Sequence, residues 1–433
     1  MEALAVFWFR RDLRAEDNCG FFHALNSGMR VLPVFIFDKD ILNRLENKHD
    51  RRVDFIHQQL VRLNSLFNQN KSSLLVYHDT TYQAFQRLLN SFAIKAVFTN
   101  HDYEPSAIER DEKIKKLLNA KGVDFFSFKD QVIFEKSEVT KADGKPYTIF
   151  TPFSRIWKQK LSEDDLKSFP SEKHLHQLFS KDKFLVPSLK DIGFEKTDFQ
   201  ITDFTPDEEI IRHYDATRNT PSLEGTTRMG VHLRFGTISP RALARMAKKL
   251  NETYLNELIW REFFMTILYQ FPHVVNSSFK KEYDYIPWRN NEDEFAAWCS
   301  GNTGYPMVDA GMRQLNETGW MHNRVRMVTA SFLTKHLLID WRWGEAYFAD
   351  KLVDFELSAN NGNWQWAAGC GCDAAPYFRV FNPAEQAKKF DPDSKYVRRW
   401  VKEYGTPAYT APVVDHTFAR NRALATYKKG LNR

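Results

Sequence analysis

Cysteine is scarce in this chain. Four among 433 residues (Cys19, Cys299, Cys370 and Cys372) are too few and too scattered for a disulfide framework, which points to a reducing compartment. Cys370-Gly-Cys372 has no second pair at zinc-ligand spacing, so no metal is expected. The first residues, MEALAVFWFRRDLRAED, lack the basic n-region and long apolar h-region of a signal peptide. No stretch approaches the ~20 apolar residues of a membrane span. A soluble, cytoplasmic, monomeric protein without membrane contact is expected. No G-x-G-x-x-G follows the first strand pattern, which disfavours ordinary dinucleotide binding. No internal repeat is visible.

Aromatics, by contrast, are abundant, with 11 Trp and 36 Phe. Most serve cores. Because a buried indole N–H seeks a partner, some can line a ligand site. The net charge of +6 and pI near 8.9 favour a polyanionic partner if the charge gathers on one face.

Short apolar runs at Leu4–Phe9, Val31–Phe37, Ser73–Tyr77, Ala96–Thr99 and Asp124–Phe128 predict strands. Helical patterns at Cys19–Ser27, Asp50–Phe67, Thr81–Ser91 and Ser106–Ala120 alternate with them. That alternation predicts an α/β N-terminal domain with a doubly wound parallel sheet over residues 1–130. Lys, Asp, Ser and Pro dominate 131–206, which reads as a mostly irregular connector. From 207 to 433 helical patterns take over (Pro240–Leu250, Tyr254–Gln270, Asn323–Leu338 and Gly344–Val353), predicting an all-α C-terminal domain. The tail, with Lys428, Lys429 and Arg433, reads as a solvated basic helix end.

Four constellations carry chemistry. Gly225-Thr226-Thr227-Arg228-Met229-Gly230 offers hydroxyls, backbone N–H groups and one guanidinium to phosphate oxygens; alone it is an ordinary loop. Glu257 and Trp260 share a helical face, where an indole and a carboxylate could hold one base; alone they are a half-buried Trp beside surface charge. Asn323 and Met327 share a face of a helix with a basic edge at Arg324 and Arg326. Asp354 and Glu356 precede the run Ala359–Pro383, ANNGNWQWAAGCGCDAAPYFRVFNP, whose adjacent buried-type amides and paired indoles suggest a site for a polar, planar ligand.

These motifs resemble, along essentially the whole chain from FWFRRDLR onward, the photolyase/cryptochrome family, and most of all the class I DNA photolyases acting on cyclobutane pyrimidine dimers. The resemblance implies FAD in the helical domain. It assigns Tyr214, Thr226, Thr227, Arg228, Met229, Gly230, Tyr254, Arg326, Asp354, Glu356 and Asn360 to the cofactor. The departures are Thr227 for Ser, Met229 for Leu, Gly230 for Ser, and Glu356 for a second Asp. Arg326 would pair with Asp354, and Asn360 would face flavin N5. DNA would be held by Arg218, Glu257, Trp260, Arg261, Asn323, Arg324 and Trp366. Glu257, Asn323, Met327 and Asn360 would serve the reaction, in which an electron from excited, reduced FAD splits a flipped dimer. Asn323 and Met327 stand where enzymes for (6-4) photoproducts carry His, which sets the substrate expectation. Trp364, Trp341 and Trp288 match an electron-transfer series, although core packing is the default for each. A second, antenna chromophore is also implied. Ser106 and Ala107 replace the Asn-Glu pair of folate users, which disfavours folate and leaves a deazaflavin or a flavin. The competing reading is a cryptochrome, a blue-light receptor with little repair activity. The complete dimer-binding set and the lack of a long C-terminal extension weigh against it.

Overall fold

The computed structural model describes residues 2–180, 183–200 and 205–432. They form two compact units, neither contiguous in sequence. The first comprises Met1–Glu135, Lys160–Thr205 and Arg228–Lys249; the second, Lys136–Gln159, Pro206–Thr227 and Leu250–Arg433.

The first unit is built on a five-stranded parallel sheet in the order β3-β2-β1-β4-β5. Its strands are β1 (Ala3–Phe9), β2 (Arg30–Asp38), β3 (Leu75–Asp79), β4 (Ala93–Asn100) and β5 (Asp124–Phe128). The apolar runs are near-continuous because both faces are covered. In β1, Phe7 and Phe9 join Phe21 and Phe67 on one side, while Val6 and Trp8 join Phe85 and Leu118 on the other. Helices α1 (Cys19–Leu25), α2 (Arg51–Gln69), α3 (Thr81–Ser91) and α4 (Pro105–Asn119) connect the strands. Asn18, Asp50 and Thr80 cap the first three by accepting backbone N–H bonds, and Pro105 opens the fourth. The strands lie where the apolar runs predict them, except that β3 is shifted two residues later and β4 starts three residues earlier.

The stretch 131–206 is not one irregular connector. It holds helix α5 (Phe150–Lys160), which buries Phe153 and Trp157; Lys136–Gln159 belongs to the second unit and the pieces on either side, up to Glu135 and Lys160–Thr205, to the first. Phe153 and Trp157 lie four apart and mark a helical face that the surrounding polar composition obscures. Helix α6 (Pro240–Leu250), expected in the all-α domain, belongs to the α/β unit. Charge explains this. Arg241 pairs with Asp17 (2.9 Å) and Asp130 (2.8 Å), and Arg14 pairs with Asp130 (2.6 Å), all of them buried. Gly236, at φ +63°, ends the short helix before α6, and a Cβ there would collide with the backbone of Arg11 and Asp12.

The second unit is helical. Its elements used below are α7 (Glu252–Gln270), α8 (Glu292–Ser300), α9 (Pro306–Thr318), α10 (Asn323–Ser331), α11 (Trp341–Lys351), α12 (Leu357–Ala368) and α13 (His416–Leu431). Helix α10 runs into one wide turn, Phe332–His336. Helix α7 is central and is buried on several sides, including Glu262, which accepts from the Trp157 indole at 2.5 Å. Helix α13 is no solvated tail: Ala419, Ala423, Tyr427 and Gly430 are buried along one face, while Lys428 and Lys429 remain exposed. Arg433 lies outside the described residues. Among the described residues no helix is long and apolar enough to cross a membrane, and no three metal-ligating side chains cluster.

Arginine neighbours hold the Asp130 carboxyl below its ordinary range against the opposing effect of burial. Its contribution to stability is therefore present at neutral pH and is lost as pH falls through the folded-state value. Asp130→Asn leaves two buried guanidiniums short of a counter-charge. Urea unfolding at pH 7, followed by circular dichroism, should show a loss of about 3–5 kcal/mol. The loss should shrink in acid.

Candidate flavin and DNA site

Helices α10 and α12 each present one face to a cleft. Asn323, Arg326, Met327 and Ala330 recur at helical spacing on α10; Asn360, Asn363, Trp364 and Ala367 do so on α12. Phe348 of α11, Trp366, and the segment Leu352–Glu356 complete the walls. The cleft holds about 610 Å³ of free space, its solvent-filled mouth included. Substrate-type residues (Asn323, Met327, Trp366) and cofactor-type residues (Arg326, Asp354, Glu356, Asn360) thus meet in one place.

The polar groups of the cleft are fixed by partners. Arg326 reaches Asp354 at 2.9 Å and also donates to the Met321 carbonyl at 2.7 Å. The Asn360 amide donates to the Glu345 carboxylate at 2.8 Å and to its carbonyl at 3.1 Å. Burial pushes the Glu345 carboxyl up, partly offset by that bond. Glu345 was missed in the sequence; its only signal is its place in the helix between Trp341 and Phe348.

Arg261 corrects an expectation. It does not point outward to DNA. It is largely buried and lies 3.2 Å from Glu356, itself buried at the cleft wall. The longer Glu356 side chain is thereby turned to a protein partner, and the Arg261 charge is neutralised internally. Trp260 differs as well. Phe150 stacks on it at 3.7 Å and 5°, and Phe264 lies near-parallel at 5.4 Å. Phe150, of the same unit, thus occupies one face of the indole.

A second group lies on α7 and the segment before it. Arg218 pairs with Glu257 at 2.5 Å. Burial raises the Glu257 carboxyl, and Arg218 opposes the rise. Thr227 and Tyr254 hydroxyls meet at 2.7 Å, and Tyr214 meets Tyr254 edge-on at 5.1 Å. Burial pushes the Tyr254 phenol up to about 12 and the Tyr214 phenol higher. Arg324 donates to Asn219 at 2.6 Å and sits 4.3 Å from the Phe390 ring. Burial, and secondarily the like charge of Arg218, lowers its pKa. Thr226 and Thr227 belong to the helical unit. Arg228 (φ +54°), Met229 and Gly230 open the next segment of the α/β unit.

The three tryptophans share one core. Trp364 and Trp341 are buried and Trp288 is half-buried against the same cluster. Trp364 lies directly on α11 at Gly344, where a Cβ would collide with its ring, three residues past Trp341. The Trp341 indole N–H has no protein acceptor. Trp298, unremarked in the sequence, also meets Trp364 edge-on at 6.1 Å.

Comparison with known proteins places this geometry. Residues 5–173 match the model of the DNA photolyase domain, and residues 254–407 that of the FAD binding domain of DNA photolyase. A deoxyribodipyrimidine photo-lyase of Vibrio cholerae is 36% identical, over 98% of this chain and 99% of the relative. The chain belongs to the DNA photolyase family. The photo-lyase of Escherichia coli is 34% identical, over 98% of both chains. Among solved structures, a class III photolyase from Agrobacterium tumefaciens superposes with a TM-score of 0.89 at 32% identity, over 100% and 98% of the two chains. A Sulfolobus tokodaii photolyase determined with two FAD molecules gives 0.81 at 34%, over 98% and 100%. A Synechocystis cryptochrome gives 0.84 at 24%, over 98% and 99%, and shares the fold.

The donor set of the cleft fits the photolyase flavin. Isoalloxazine presents one N–H donor and two carbonyl acceptors at its edge, and Asp354, Arg326 and Asn360 supply the complementary carboxylate, guanidinium and amide. The aliphatic and aromatic side chains of Ala330, Phe348, Leu352 and Trp364 suit its apolar plane.

Arg218 opposes protonation of Glu257. Arg218→Ala should therefore move the Glu257 titration midpoint upward by about one unit or more. Carbon-13 NMR of the labelled glutamate carboxyl checks it; an unmoved midpoint would show that burial alone sets this group.

Proposed function

We propose that the chain repairs cyclobutane pyrimidine dimers in DNA, as a cytoplasmic monomer using light absorbed by FAD. The observation that carries this reading is the meeting of Asn323, Met327 and Trp366 with Asn360, Arg326 and Asp354 around one cleft. Bound FAD, reduced and excited, supplies one electron to the dimer and receives it back after the ring opens. The chain's residues do the rest.

Arg326 and Asp354 orient the flavin edge, and Thr226, Thr227, Arg228 and the Gly230 N–H take the pyrophosphate. Asn360, held by Glu345, presents an amide to the flavin. An amide has no acidic proton to give, which suits a cofactor working as an anion. Arg218 and Arg324 take DNA phosphates, so affinity falls with salt. The dimer leaves the stack and enters the cleft, where distorted pairing lowers the cost of extrusion. Glu257, its carboxyl raised by burial against the pull of Arg218, hydrogen-bonds the dimer and stabilises charge that develops on it. Met327 and Trp366 give an apolar bed. No side chain at Asn323 or Met327 can donate the proton that a (6-4) lesion requires. The α/β unit takes the antenna, a deazaflavin or a flavin, since Ser106 and Ala107 stand at the folate positions. The two FAD molecules of the Sulfolobus tokodaii relative support a flavin.

Blue light on oligonucleotides bearing each lesion, with products resolved by chromatography, tests the substrate. Cyclobutane dimers should be restored and (6-4) lesions left intact; failure on the dimer with fully reduced flavin would favour a light receptor. Separately, Trp364→Phe should slow light-driven reduction of oxidised FAD at least tenfold, while pre-reduced enzyme repairs at near the parental rate. Unchanged photoreduction in reductant would remove Trp364 from the electron route.

A further inference from the structure

Lys335 is a buried cation that this repair chemistry does not use. It sits in the wide turn Phe332–His336 and is 2% exposed. Its Nζ donates to the Ala368 carbonyl at 2.9 Å and lies 3.7 Å from the centre of the Tyr427 ring. The Tyr427 hydroxyl, wholly buried, donates to the same carbonyl at 3.0 Å. The Tyr427 ring meets Trp288 edge-to-face at 5.7 Å and 89°. Among the described residues no carboxylate stands within ion-pairing distance of Lys335. A buried ammonium without a counter-ion is costly, and such groups gather at functional sites.

We propose that Lys335 governs how readily the outer end of the tryptophan series is oxidised, by placing or withdrawing a positive charge beside Trp288 through Tyr427. This rests on the assignment of Trp364, Trp341 and Trp288 as the electron route. When an electron moves inward, Trp288 is left as a radical cation, and an external reductant refills it. A protonated Lys335 repels that positive charge and favours its return. A neutral Lys335 does not. Lys335 touches no reacting atom; it is a positioning residue acting by its field.

Its surroundings set when it titrates. Burial brings its pKa down to about 7, with a small opposing pull from the Cys370 thiol. That thiol is itself pushed up to about 12 by burial and stays neutral. Burial pushes up the phenols of Tyr427, on α13, and Tyr283, in the turn before Ile286, and Tyr377 of the loop after α12 stacks on Tyr427. Asp340 and Arg342 of the α11 start act on Tyr427 and Cys370 respectively, and Lys280 faces Tyr283. His336, in the same turn, is pushed down to about 3 by burial, and its partner His416 of α13 is also held below the ordinary imidazole range by burial, so a direct lysine titration separates Lys335 from both.

The test combines a direct titration with a kinetic one. NMR of labelled lysine Cε and Nζ, in protein with and without FAD, should show Lys335 titrating near 7; a midpoint near the ordinary 10.5 would overturn the proposal. The quantum yield of flavin photoreduction with reductant should rise roughly tenfold from pH 6 to pH 8.5, as expected for a unit charge at this range. Lys335→Met should give a high, pH-independent yield, and Lys335→Arg a low, pH-independent one. A parental yield that stays flat while Lys335 titrates would also overturn it, and this comparison needs no variant to fold. Photoreduction that survives Trp364→Phe would instead refute the underlying electron route.

Discussion

The hold on helix α12 is the constraint on which the site depends. This helix carries Asn360, Trp364 and Trp366, and each must keep its bearing on the cleft. Asn361 and Gln365 clamp its inner side to the Val274 carbonyl at 2.9 and 3.0 Å. The Gln365 amide oxygen accepts from Phe279 N at 2.8 Å, and its backbone carbonyl accepts from Gly369, Cys370 and Gly371. Lys335 and Tyr427 take the next carbonyl, Ala368. Gly369, at φ +91°, makes that ending possible. Each such bond contributes about 0.5–1.5 kcal/mol net, but leaving one of these buried groups unpaired would cost about 1–3 kcal/mol. The clamp therefore specifies position more than it adds stability.

The same logic divides the two adjacent asparagines. One turns to the cleft and Glu345; the other turns inward to the scaffold. One buried amide of the pair thus lines the cleft and the other fastens the scaffold. Glycine plays a matching part: Gly344 and Gly362 let Trp364 and Phe264 lie against bare backbone. Replacing Gly344 with a larger residue would displace Trp364, a ring of the cleft wall, and replacing Gly362 would displace Phe264.

Charge is used in two opposite ways. Inside the α/β unit, Asp17, Asp130, Arg14 and Arg241 neutralise one another completely and fasten distant segments. In the helical unit, Arg218–Glu257 and Arg324–Asn219 are only partly buried. Such contacts can be exchanged for phosphate or for a base edge at little net cost. Arg261, which looks like its neighbours in sequence, belongs to the inward kind.

The sequence by itself determined the parallel sheet and the helical second half, and it singled out several residues that line the cleft, Asn323, Met327, Asp354 and Asn360 among them. Alternating apolar runs and residues three or four apart constrain local geometry directly, which is why Asn323 with Met327 was legible as a shared face. The tertiary structure alone decided which side chains are spoken for. Arg261 meets Glu356, Phe150 covers Trp260, α6 joins the α/β unit through Arg241, and Lys335 lies under Tyr427. Each of these pairs residues about 90 or more positions apart, and no local periodicity encodes which distant partner a charge or ring will find. A side chain's type is written in the sequence, but its availability depends on what folding brings beside it.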